Sequence, residues 1–137
     1  MKHFRTIVLF LMACMCLVFL GGARAQASCS NASVKGTYGF TCSGTSGGDS
    51  VALVGQLILD GKGKASGTFT AMVGGVLAYG PFGPIKGTYT VNKDCTGSTT
   101  FTTPSPTSHY DISLFNGGFF SLETDPGAEV TCQKKAL

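Results

Sequence analysis

His109, Tyr110 and Asp111 are the residues whose types and spacing come nearest to acid–base machinery. An imidazole beside a carboxylate shuttles protons near neutral pH. In a strand, though, alternate residues share a face. His109 and Asp111 therefore stand opposite Tyr110 and Ile112. If the tyrosine and isoleucine turn inward, the imidazole and the first carboxylate point to solvent. Glu123 meets the same objection, because it shares a face with Ser121 and Phe119. The serines lack a nucleophile elbow such as G-x-S-x-G. Gly48-Asp49-Ser50 reads as loop, and the glycines at 44–48 lack the lysine and following helix of a phosphate loop. Asn31-Ala32-Ser33 is a glycosylation sequon that matters only in a secreting eukaryote. No catalytic residue emerges.

The aromatic residues carry more information. Gly36 precedes Tyr38 by two positions, Gly67 precedes Phe69, Gly87 precedes Tyr89, and Gly118 precedes Phe120. Gly97 and Phe101 repeat the idea at a spacing of four, and Phe40, Ile112 and Leu122 extend the same faces. Each pair places a glycine and an aromatic ring on one strand face, with Thr, Lys or another residue opposite. Tyr38, Phe40, Phe69, Tyr89, Tyr110 and Phe120 are thus the candidate ligand-contacting residues. A buried tyrosine hydroxyl seeks a partner, so these rings either line an apolar cup or fill the core.

The elements that must position them are strands. The apolar segment Val51 to Leu59 is rich in β-branched residues and interrupted by Gly55, while Thr, Gly and aromatics dominate elsewhere. The pattern predicts eight strands, near 34–43, 51–60, 64–73, 85–92, 96–103, 109–115, 117–124 and 128–134. Turn signals separate them: Ser43 to Ser50, Asp60 to Gly63, the proline-stiffened Gly80 to Pro84, Asn92 to Cys95, Thr103 to Ser108 and Asp125 to Ala128. Connections this short favour an antiparallel meander. Curling into a closed barrel buries one apolar face and removes both edges. A two-sheet sandwich is the rival.

The N-terminus reads as a secretory signal peptide over residues 1–25. Lys2 and Arg5 form a basic start, Thr6 to Leu20 an apolar run, and Ala23-Arg24-Ala25 a cleavage pattern; a cut after Ala27 also fits. The run is short for a membrane span, and no membrane association is expected after cleavage. The formal charge of +3 leaves with Lys2, Arg5 and Arg24, so residues 26–137 balance lysines against carboxylates. No basic patch remains to suggest nucleic acid. Cys29, Cys42, Cys95 and Cys132 remain; an even number in an exported chain implies two disulfides with three possible connectivities. No C-x-x-C pair occurs, and His109 is the only histidine left, so neither zinc nor any other metal or cofactor is expected.

Cys29 to Phe40, Gly55 to Thr70 and Gly87 to Phe101, in this order, resemble exported bacterial proteins with an allene oxide cyclase barrel-like domain. The resemblance spans most of residues 26–137. It implies an all-β, single antiparallel eight-stranded barrel of the calycin-like type, whose relatives largely enclose and shape an apolar substrate. No family catalytic residue maps onto this sequence. In such a closed meander the first and last strands are neighbours. That implies Cys42–Cys132 as a closing staple and Cys29–Cys95 as a tie from the N-terminal segment to the Asn92–Cys95 turn. Three functions follow for a secreted or periplasmic barrel: binding a small apolar molecule, cyclase- or isomerase-like catalysis in the same cavity, or a structural or protein-interaction role with a filled core. Strand parity places no titratable group inside, which favours the binder.

Overall fold

The computed structural model describes residues 28–103 and 106–137. The expected leader and its expected cleavage sites, and Pro104 and Ser105 of one expected turn, lie outside the described residues. Among the described residues, eight strands follow one another: β1 (Gly36–Ser46), β2 (Asp49–Leu59), β3 (Lys64–Val73), β4 (Val76–Val91), β5 (Thr96–Thr103), β6 (Ser108–Phe115), β7 (Gly118–Glu123) and β8 (Ala128–Ala136). They close as β1-β2-β3-β4-β5-β6-β7-β8, each antiparallel to its neighbours, with β8 paired back onto β1. The alternation of buried and exposed residues in β1, β2 and β8 is that of a sheet with one face enclosed. The expected barrel is the observed one.

The glycine–aromatic pairs have a backbone reason. A Cβ on Gly67 would overlap the carbonyl oxygen of Gln56 on β2, and one on Gly87 would overlap that of Thr100 on β5. Neighbouring strands pass too closely there for any side chain, and this closeness lets the sheet coil tightly enough to close.

The expected Ser43–Ser50 turn shrinks to Gly47 and Gly48 between β1 and β2, and two larger details also depart from the sequence expectation. Gly80 to Pro84 is not a separate loop but part of β4, which runs for 16 residues. The β3–β4 register shifts between Phe69 and Ala71 and again between Ala71 and Met72, so the prolines sit in an irregular ladder that does not need every N–H. The phase of β7 is also the opposite of that expected. Phe119 and Ser121 are buried, whereas Phe120 is 52% exposed and Leu122 is 49% exposed. The cause is the tight turn at Asn116 and Gly117. It pairs Phe115 with Gly118 and therefore Leu114 with Phe119, Ile112 with Ser121 and Tyr110 with Glu123. Directly opposed residues share a face, so the inward Tyr110 and Ile112 carry Glu123 and Ser121 inward too. Phe120 instead stacks on Phe115 outside the barrel, ring centroids 4.7 Å apart.

Candidate functional site: an open-ended cavity with a buried lysine

The two barrel ends are built differently. At one end, the 3-10 turn Asn31–Val34 precedes β1. The Tyr38 hydroxyl donates to the Val34 carbonyl at 2.9 Å. The Tyr89 hydroxyl accepts the Gly61 N–H at 2.8 Å and donates to the Asn31 carbonyl at 3.4 Å. The Asn31 side-chain oxygen accepts the Val91 N–H at 2.7 Å. The Cys29–Cys95 disulfide fastens the segment, and Cys42–Cys132 joins β1 to β8. These are the two pairs implied for a closed meander. Tyr38 and Tyr89 are thus occupied by cap contacts. Burial raises the pKa of both hydroxyls, and at Tyr38 the neighbouring Tyr89 adds to the rise.

The opposite end is open. A cavity of about 390 Å³ enters there, walled by Phe69, Tyr79, Phe101, Tyr110, Glu123 and Val130 among others. Tyr79 is held by its hydroxyl donating to the Pro84 carbonyl at 2.8 Å, and its ring lies 4.7 Å from that of Phe69. The Tyr110 hydroxyl donates to Glu123 Oε2 at 3.3 Å. Burial raises the Glu123 pKa, with the Asp125 charge adding and the Tyr110 hydrogen bond opposing; burial likewise drives the Tyr110 phenol upward.

Beneath this cavity lies an inner chamber of about 30 Å³ lined by Phe40, Leu57, Cys42, Cys132 and Lys134. Leu53, Ile85, Phe101 and Tyr110 wall both spaces. Lys134 is only 3% exposed. It shares the inward face of β8 with Val130 and Cys132 and pairs with Phe40 on β1 and Phe119 on β7. Its Nζ is hydrogen-bonded to Ser121 Oγ and lies 5.0 Å from the Phe119 ring centroid and 5.8 Å from that of Tyr110. The one ion pair among the described residues is His109–Asp125, so no carboxylate accompanies this amine. Burial alone lowers its pKa to about 7.

Of the residues expected to contact a ligand, Phe69 and Tyr110 line the open cavity and Phe40 the inner chamber. Tyr38 and Tyr89 serve the cap, and Phe120 lies outside. The expectation of a barrel interior without titratable groups is wrong: Lys134 and Glu123 both face it. The signal for Glu123 was the Asn-Gly turn, which fixes the phase of β7; for Lys134 it was the i, i+2 series from Val130 and Cys132. His109 is on the surface as expected, but its partner is Asp125 rather than Asp111: Nδ1 meets Oδ1 at 2.7 Å, and the backbone N–H donates to Oδ2 at 2.8 Å. Among the described residues, no three His, Cys, Asp or Glu side chains gather as a metal would require. Scanned against models of protein families, curated proteins and solved structures, the chain has no match.

Proposed function

We propose that this protein is an exported binding barrel for one small apolar molecule, admitted through the open end. The observation that carries the reading is the cavity of about 390 Å³, walled mostly by aromatic and aliphatic side chains, with Ser46, Ser108 and the Tyr110–Glu123 pair as polar lining. This is the size and make-up of small-molecule sites. The molecule is apolar along most of its length, with polar groups matched to this lining. Two disulfides suit secretion or a periplasmic location. The resemblance to allene oxide cyclase barrel-like domains points the same way, since those relatives enclose apolar substrates. Native mass spectrometry of protein purified from its producer tests the proposal. A bound apolar molecule, displaced when Ala71, which walls the cavity, is replaced by Phe, is the expected result. A ligand-free protein that also takes up no fluorescent apolar probe returns the barrel to a structural or protein-interaction role.

A second reading, a cyclase- or isomerase-like enzyme, draws on Glu123. A carboxyl group with a raised pKa facing an apolar cavity is suited to proton transfer. Glu123→Gln would then stop conversion of the bound molecule without releasing it.

A further inference from the structure

A lysine amine buried among aromatic rings, without a carboxylate, costs stability in its charged form and is driven towards the neutral amine. We propose that Lys134 captures carbonyl compounds: its amine condenses with an apolar aldehyde seated in the cavity, forming a reversible covalent imine. This rests on the binding reading and names the chemical class of the ligand.

The geometry supplies what the reaction needs. Lys134 lines the inner chamber, and that chamber shares four wall residues with the open cavity above it. An aldehyde entering head first brings its carbonyl carbon to the amine while its tail stays among Phe69, Phe101 and Val130. The neutral amine is the nucleophile, and burial keeps Nζ substantially neutral at physiological pH. The titratable groups facing the interior near it are Tyr110 from β6, Glu123 from β7 and Tyr38 from β1. None of them is an ion-pair partner of Nζ. Ser121 Oγ orients the amine through their hydrogen bond.

The step balances without an outside oxidant or reductant. The Nζ lone pair attacks the carbonyl carbon, and the carbonyl π electrons move to oxygen, which takes up a proton. The C–O bond then breaks as the C=N bond forms. The carbonyl oxygen leaves as water with two hydrogens, the number lost by the amine. Water entering from the open end reverses the reaction.

Octanal and octanol serve as reactive and unreactive probes on the full disulfide-bonded protein. The protein is treated with octanal and cyanoborohydride near neutral pH, digested and mapped by mass spectrometry. The expected result is an octyl adduct at Lys134 forming about tenfold or more faster than at Lys35, Lys62, Lys64, Lys86, Lys93 or Lys135. Excess octanol slows it by occupying the cavity, and Lys134→Arg loses it. Adducts spread evenly over the surface lysines, with octanol still displacing a fluorescent apolar probe, would overturn the imine and leave the binding reading intact. A Lys134 adduct indifferent to octanol overturns capture from the cavity. Failure of both octanol binding and Lys134 labelling overturns both.

Discussion

The barrel has one tyrosine-rich end that is closed and one that is open, and the difference lies in what the hydroxyls bond to. At the capped end, Tyr38 and Tyr89 bond backbone groups of Val34, Gly61 and Asn31, and Cys29–Cys95 locks the covering turn in place. At the open end, Tyr79 latches onto its own strand, and Tyr110 bonds a side-chain carboxyl that also faces the cavity. The same residue type seals one mouth and furnishes the other. Lys134 sits between the two regimes, near aromatic rings and lining the inner chamber that lies beneath the open cavity.

The largest effects should come from the cap and from the lysine. Replacing Cys29 and Cys95 by Ala releases a loop closed over a sequence separation of 66 residues, which by loop-closure entropy costs about 4 kcal/mol of stability. Denaturant unfolding measures this. Hydrogen exchange localises it: the Gly61 and Val91 amides, held by Tyr89 and Asn31, should lose protection, while probe binding at the open end persists. Equal loss at both ends would erase the distinction between them.

Lys134→Met should stabilise the protein by about 1–4 kcal/mol at neutral pH, because an apolar chain of similar length replaces a buried amine that must be desolvated. The sign with pH follows from linkage. The amine titrates near 7 in the fold and near 10.5 when unfolded. Between those values the unfolded chain binds more protons, so stability rises with pH through that window, by at most about 1.4 kcal/mol per pH unit. Chemical denaturation at pH values spanning the window should show this rise in the natural protein and its loss in Lys134→Met.

The strands and the barrel were legible because Gly67–Phe69 and Gly87–Tyr89 repeat an alternation that only one enclosed face explains. The four cysteines alone left three connectivities open; the pairs observed are those that the resemblance to a closed meander implied. The site was less legible. Phe119 and Phe120 are adjacent and equally apolar, so composition cannot choose which faces in; the turn at Asn116 and Gly117 does. An inward Phe120 would place Ser121 and Glu123 on the outer face, opposite to where they lie. Lys134 was hidden for another reason: in a charge count a lysine reads as surface, whereas its strand parity with Cys132 places it inside. The cap contacts of Tyr38 and Tyr89 depend on long-range packing by the Asn31–Val34 turn, which local alternation does not encode.

A smaller effect separates the hydroxyls themselves. Tyr89→Phe strips the Gly61 N–H of its partner, and such a loss costs about 1–3 kcal/mol. Tyr79→Phe leaves an exposed carbonyl that water can satisfy, and should cost no more than about 1 kcal/mol. Paired thermal or denaturant unfolding curves of the two variants test whether cap hydroxyls hold the fold more tightly than mouth hydroxyls do.

The smallest effect concerns Glu123, and its sign opposes that of Lys134. Burial raises this carboxyl above its ordinary value of 4.5. Between the unfolded and folded values the folded state holds the extra proton, so stability falls as pH rises through that acidic window. Glu123→Gln should remove the decline, and because the carboxyl is partly solvated the gain above the window should stay below about 1 kcal/mol. The Tyr110 hydrogen bond holds the carboxyl lower than burial alone would. Tyr110→Phe should therefore push the Glu123 titration upward, as read by NMR of the side-chain carboxyl. A titration that instead moves down would mean that the hydroxyl bonds the protonated acid, and that the polar contact at the mouth donates a proton to a ligand rather than accepting one.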